Sequence, residues 1–141
     1  MKTNCMEKNL LNHLKNNIKT ELRPSPIDGV GIFAIRAIKK GEQVFPHWEY
    51  DNGIYIVEDE KLKEIPKEVR KLIDKYFITK SEGYKAVRLY KGLNFIFNPF
   101  CFCNSAHPNP KGVNINNAGI ALRNIKKGEE ILEGYSENII L

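Results

Sequence analysis

Leu10, Leu11, Leu14 and Ile18 recur at three- and four-residue spacing, which predicts a short amphipathic helix or a partly ordered tail over residues 1–20. Pro24, Pro26 and the Asp28-Gly29 step are turn signals that end this segment, and the run rich in Ile, Phe and Val beyond them predicts the first strands. The most informative pattern is an internal echo: Ala34 to Glu42 reads Ala-Ile-Arg-Ala-Ile-Lys-Lys-Gly-Glu, and Ala121 to Glu129 reads Ala-Leu-Arg-Asn-Ile-Lys-Lys-Gly-Glu. An apolar pair follows each copy, Val44-Phe45 and Ile131-Leu132, so each copy predicts a strand, a turn and a second strand. Two copies this far apart do not make a solenoid, which needs several stacked repeats. Between them, Val69, Leu72, Ile73 and Tyr76 predict a helix over residues 66–77, started by a proline suited to a first helical turn. Residues 85–90 predict a further strand. Residues 94–110 mix aromatic side chains with Asn, Pro and Cys without any period, which predicts an irregular segment buried beside a site.

A chain of 141 residues, 42% of them hydrophobic, is the size of one domain with one core and one site. The net charge of +5 does not mark a nucleic-acid surface: the lysines are spread along the chain and interleaved with glutamates, as in Lys61, Lys63, Glu64, Lys67 and Glu68, and no basic stripe carries stacking aromatics. Cys5, Cys101 and Cys103 are odd in number, and two of them are separated by a single residue, which argues against a disulfide scaffold. Residues 1–20 lack the continuous apolar stretch of a secretory signal, and no later stretch has the length to span a bilayer. An intracellular location follows, cytoplasmic before nuclear.

Gly29-Val30-Gly31-Ile32-Phe33-Ala34 matches a permissive dinucleotide-binding fingerprint, but that site needs a preceding strand and a following helix. Here prolines precede the glycines and a strand pattern follows, so only a glycine pair that lets a ligand approach the backbone survives. Cys101, Cys103, His107 and His47 form a poor version of a zinc pattern, and buried free thiols are the better reading; no metal is expected.

Ser25 to Ala34, with Ile38-Lys39-Lys40-Gly41-Glu42, resembles the opening motif of SET-domain methyltransferases, and Ala121 to Tyr135 resembles their closing motif. Cys103-Asn104-Ser105-Ala106-His107-Pro108-Asn109 is similar to the family's Asn-His-Ser-x-x-Pro-Asn signature, with the family's Asn and His falling on Cys103 and Asn104. The resemblance runs from about Glu21 to Glu137. It implies a mainly β fold with short helices, the β-clip-like SET fold of several small sheets, over residues 21–141. It further implies S-adenosylmethionine as cofactor and a lysine-containing protein or peptide, a histone or another protein, as substrate. Asp28, Gly29, Val30, Gly31 and Ile32 would hold the cofactor, and the two altered positions, Cys103 and Asn104, would meet its amino-acid portion. Tyr135 would be the catalytic tyrosine.

Transfer of a methyl group to an amine requires the neutral amine, and deprotonating a free lysine at pH 7 costs about 4–5 kcal/mol. An apolar aromatic channel lowers that cost by desolvation, and Tyr76, Tyr84, Tyr90 and Phe102 are the candidates to line it. Glu129, Glu130, Glu133 and Glu137 would attract a lysine-bearing peptide or form a solvated face. The altered signature also raises a second possibility, a non-catalytic SET fold that binds a peptide or partner.

Overall fold

The structure is a computed structural model and describes residues 2–46, 54–76, 80–81, 83–88, 102–106 and 109–134, with only the backbone described for residues 2–7, 54, 76, 80–81, 84–88 and 110. Along the chain come α1 (Lys2–Asn16), β1 (Thr20–Pro24), β2 (Val30–Ala34), β3 (Ile54–Glu58), α2 (Asp59–Leu62), α3 (Lys67–Tyr76), β4 (Lys80–Ser81), β5 (Tyr84–Arg88), β6 (Asn104–Ser105), a 3-10 turn (Pro110–Gly112) and β7 (Glu130–Glu133). These elements fall into two compact units, Met1–Ile18 with Pro46–Ile96, and Lys19–Phe45 with Phe97–Leu141.

The first unit holds the three helices and a sheet in the order β3-β5-β4. In α1 the predicted stripe is realised by Leu10 and Leu14, which are buried, with Ile18 buried just beyond the helix end. His13 shares that buried face, and its Nδ1 lies 3.2 Å from the Asn17 amide. In α3 Val69, Leu72 and Ile73 are buried, while Glu68 in the first turn and Lys75 in the last suit the helix dipole. Pro66 stands just ahead of the helix and its carbonyl accepts the N–H of Arg70. β5 starts one residue before the predicted strand.

The second unit carries a sheet in the order β1-β2-β7-β6. β1 and β2 form an antiparallel hairpin from Thr20↔Ala34 to Pro24↔Val30, and among the described residues β1 is an edge strand, the place in a sheet where a proline, which has no N–H to donate, is tolerated. The hairpin turn closes through the Ser25 N–H to the Gly29 carbonyl and the Ile27 N–H to Ser25 Oγ, with Gly29 at φ +45°. Next to β2, β7 runs antiparallel, and β6 pairs with β7 in parallel through Asn104↔Leu132 and Ser105↔Glu133. Ile32, Ala34, Ile38, Val44, Ile115, Ala121, Ile125 and Ile131 form the buried interior.

The two echoing segments meet in this unit as a pseudo-symmetric pair. Gly41 N–H donates to the Ala121 carbonyl and Gly128 N–H to the Ala34 carbonyl, both at 2.8 Å. Ala121 N–H donates to the Glu42 carbonyl at 2.9 Å, and Ala34 N–H to the Glu129 carbonyl at 2.8 Å. Ile38 and Ile125 exchange both of their backbone bonds with each other, at 2.9 and 2.7 Å. Each of these backbone bonds thus has its counterpart in the other copy, and the local two-fold axis passes between Ile38 and Ile125. The expected strand-turn-strand is only half formed in each copy. The first copy takes its strand before the Lys-Lys-Gly-Glu turn and the second takes it after, because the remaining halves spend their backbone groups on each other through isolated bridges.

Small sheets with short helices are the fold class expected from the resemblance. No helix of the described residues is long and apolar enough to cross a membrane.

Candidate functional site

Gly31 lies in β2, and a Cβ at that position would stand 2.0 Å from Glu130 Oε1, 2.9 Å from Glu130 Cδ and 3.0 Å from Ser25 Cβ. The glycine pair was expected to admit a ligand to the backbone; the group the structure sets against Gly31 is the chain's own Glu130 carboxylate, at the start of β7. Asn104 in β6 ties the arrangement together. Its Nδ2 donates to the Asp28 carbonyl at 3.1 Å and to Glu130 Oε1 at 2.9 Å. One amide thus joins the β1–β2 turn to the glutamate that covers Gly31. Of the residues expected around a cofactor, Asp28, Gly29, Val30, Gly31, Ile32, Cys103 and Asn104 all fall in or beside this part of the sheet. They do not all face the same way. Ile32 is fully buried, whereas Val30 is 47% exposed and borders the turn.

Cys103 turns inward. It is 2% exposed, and its Sγ lies 3.3 Å from the Ile131 carbonyl. Burial first, then the charges of Glu133 and Glu130, push its thiol up to about 12, against a lesser opposing bond to the Glu133 backbone. At neutral pH it is a protonated, packed group with neither the reach nor the charge to bind a ligand. Asn104, the next residue and the first of β6, is directed instead to the Asp28 carbonyl and Glu130, in keeping with the alternation of an extended chain.

Asn114 was not singled out by the sequence reading. Only 1% exposed, it accepts the Leu132 N–H on Oδ1 and donates Nδ2 to the Glu130 carbonyl, both at 2.8 Å. Its side chain therefore acts as a short strand against β7 and fixes the backbone on both sides of Ile131. Standing between Val113 and Ile115 and close to Asn116 and Asn117, it carries no sequence signal for such a role. Asn109, the last residue of the signature, caps the following 3-10 turn through Oδ1 and the Lys111 N–H. Beyond the end of β7, Gly134 lines an open cleft of about 410 Å³ together with Val113, Ile115, Asn116 and Leu122.

Among the four candidate glutamates, Glu129 is engaged by Arg123 at 2.9 Å and by the Lys126 N–H at 3.0 Å. Burial alone would raise its pKa, but these bonds and the charges of Arg123 and Lys126 outweigh it and hold the carboxyl below its ordinary value. Tyr135, Glu137, Tyr90, Cys101, His47 and His107 lie outside the described residues, as do the side chains of Tyr76 and Tyr84. Phe102 is half-buried, immediately before Cys103. No group of three or more His, Cys, Asp or Glu side chains is placed to hold a metal among the described residues.

The SET-domain family model matches residues 29–136, most of the chain. The chain belongs to the SET-domain family. In this SET domain the matched stretch opens at the glycine pair and runs past the end of β7, so it contains both halves of the Asn104–Glu130 arrangement. The chain is also similar to the crystal structure of a proposed histone methyltransferase of Plasmodium falciparum, with 24% identity, a TM-score of 0.36 and coverage of 83% of this chain and 92% of that one. A second similar structure is the SET domain of the RIZ1 tumour suppressor (PRDM2), with 19% identity, a TM-score of 0.39 and coverage of 93% and 78% respectively. No curated protein matches the chain.

Proposed function

We propose that this SET domain is a methyltransferase that takes its methyl group from S-adenosylmethionine and places it on the lysine side chain of a protein or peptide. Membership of the family supports this reading, and one observation carries it to particular residues. The Asn104 amide joins the Asp28 carbonyl to the Glu130 carboxylate over Gly31, bringing the opening motif, the signature and the closing motif to one place.

The residues present fit such a cofactor. The Asp28 carbonyl and the Glu130 carboxylate are acceptors suited to an ammonium, the turn of residues 25–29 offers bare backbone, and the exposed Val30 and Ile27 offer apolar surface beside it. When bound, the cofactor supplies an electrophilic methyl group on a sulfonium. The chain supplies alignment. Asp28 to Gly31 with Asn104 would hold and orient the donor, and Cys103 would serve only through its backbone. Tyr135, one residue past Gly134, is the proposed catalytic residue whose hydroxyl orients donor and amine. Tyr76, Tyr84, Tyr90 and Phe102 are proposed to wall the lysine channel, where exclusion of water favours the neutral amine.

The inward-turned Cys103 thiol favours a second reading, a SET fold that binds peptide without catalysis. Calorimetry with S-adenosylhomocysteine, followed by methyl transfer to a panel of lysine-bearing proteins, separates the two. The catalytic reading expects binding with a raised melting temperature. It also expects Tyr135→Phe to slow transfer by roughly a hundredfold, about 2–3 kcal/mol, with cofactor affinity largely kept. Absence of binding and of stabilisation at millimolar ligand would sink it.

A further inference from the structure

Each copy of the internal echo is followed by a residue whose side chain lies on a glycine. After Gly41-Glu42 it is Gln43, whose Oε1 would stand 2.6 Å from a Cβ on Gly119; after Gly128-Glu129 it is Glu130, over Gly31. Gln43 is satisfied at both ends: Nε2 donates to the Ala118 carbonyl at 2.9 Å and Oε1 accepts the Phe45 N–H at 3.0 Å. A neutral amide therefore suffices to hold this position in the fold. At the related position the chain uses a carboxylate, and since a carboxylate cannot donate to the turn carbonyl, Asn104 supplies that bond instead.

The negative charge of Glu130 is thus surplus to the packing. It is half-buried, it receives one N–H from Asn104, and no cation pairs with it among the described residues. Three cations of this unit are engaged elsewhere, Lys19 by Glu42, Arg123 by Glu129, and Arg23, which lies opposite Gly31 in the β1–β2 register, by Glu21. A half-buried carboxylate lacking a counter-ion beside a second acceptor, the Asp28 carbonyl, is a place for a cation with N–H donors. Meanwhile the side chain of Cys103, one of the two signature positions expected to meet the amino-acid end of the cofactor, has turned into β7, which leaves only its backbone for that role. We infer that Glu130 is the anchor for the α-ammonium group of S-adenosylmethionine, with Asn104 as the positioning residue that fixes the carboxylate against Gly31. The inference rests on the cofactor reading above and adds to it the group that recognises the amino-acid portion.

The test compares two ligands on the full chain by calorimetry: S-adenosylhomocysteine, which carries the ammonium, and methylthioadenosine, which keeps the adenosine and thioether but lacks the amino-acid portion. Glu130→Gln keeps the shape and, by the precedent of Gln43, the fold. It is expected to lower affinity for S-adenosylhomocysteine at least about tenfold, the scale of a lost charged hydrogen bond, and to leave methylthioadenosine unchanged. Glu130→Asp, which keeps the charge on a shorter arm, is expected to retain more of the S-adenosylhomocysteine affinity than Glu130→Gln. Equal losses for both ligands, no loss for either, or a Gln variant that binds as well as the Asp variant would each overturn the assignment. If the wild-type chain binds neither ligand, the cofactor reading itself falls, an outcome distinct from the others.

Discussion

A missing methyl group at position 31 decides where Glu130 rests, and that local geometry can be tested without any ligand. Gly31→Ala would put its Cβ 2.0 Å from Glu130 Oε1 and 3.0 Å from Ser25 Cβ. The carboxylate must swing out, Asn104 loses one of its two acceptors, and the turn is pressed at Ser25. Overpacking of this kind costs about 1–3 kcal/mol, so urea unfolding should show a loss in that range together with weakened cofactor binding. An unchanged midpoint would mean that Glu130 is free to leave and is not held where the structure places it. The same residue marks the edge of what sequence could tell. The glycine pair and the signature are plain to read, and they lead to this end of the sheet. That the group pressing on Gly31 is a side chain of the same molecule is invisible locally, because it depends on the register of β7 against β2.

At the scale of elements, the echo between Ala34–Glu42 and Ala121–Glu129 was the clearest message in the chain, and its meaning was only partly legible. Periodicity indicates that both segments alternate and turn; it does not say that they turn toward each other. The short strands escaped for related reasons. β6 has two residues and exists only because β7 offers it a parallel edge, and β1 (Thr-Glu-Leu-Arg-Pro) has too few apolar positions and ends on a proline. α1 and α3, whose pattern is local, lie within a few residues of their expected places, whereas α2, a single turn, carries no period to read. The pseudo-symmetry makes its own prediction. Gly41 at φ +90° and Gly128 at φ +89° occupy equivalent turns, and a Cβ at either would meet nothing within 4 Å. Alanine at each position therefore costs only backbone strain, about 1–2 kcal/mol. Denaturant unfolding should give the two variants equal losses within about 0.5 kcal/mol and an additive double variant. Losses differing by more than about 1 kcal/mol would contradict the equivalence.

Considered as a whole molecule, the chain closes its two equivalent turns with acids of lowered pKa, and this ties its stability to pH. The Lys19 ammonium, 2.9 Å away, holds the Glu42 carboxyl below its ordinary value of 4.5 against a smaller opposing effect of burial. Glu129 is lowered likewise once its bonds to the Lys126 N–H and Arg123 have overcome burial. A carboxyl with a lower pKa in the folded state contributes stability that is complete above its unfolded value and is lost as pH falls through the folded one. The contribution of both residues should therefore be full at neutral pH and should disappear at acid pH, below about 4.5. Acid also raises the positive charge of a molecule that already carries +5, so general repulsion must be separated from these two bonds. Glu42→Gln combined with Glu129→Gln should be less stable than the wild type at neutral pH, and the gap should close as pH falls through the lowered pKa values. Glu60→Gln, which removes one negative charge, as each of those substitutions does singly, but from a side chain that is 80% exposed, should leave the slope of the acid loss nearly unchanged. A gap that persists in acid would show that the two glutamates act through packing, and the proposed charge-closed turns would then have to be abandoned.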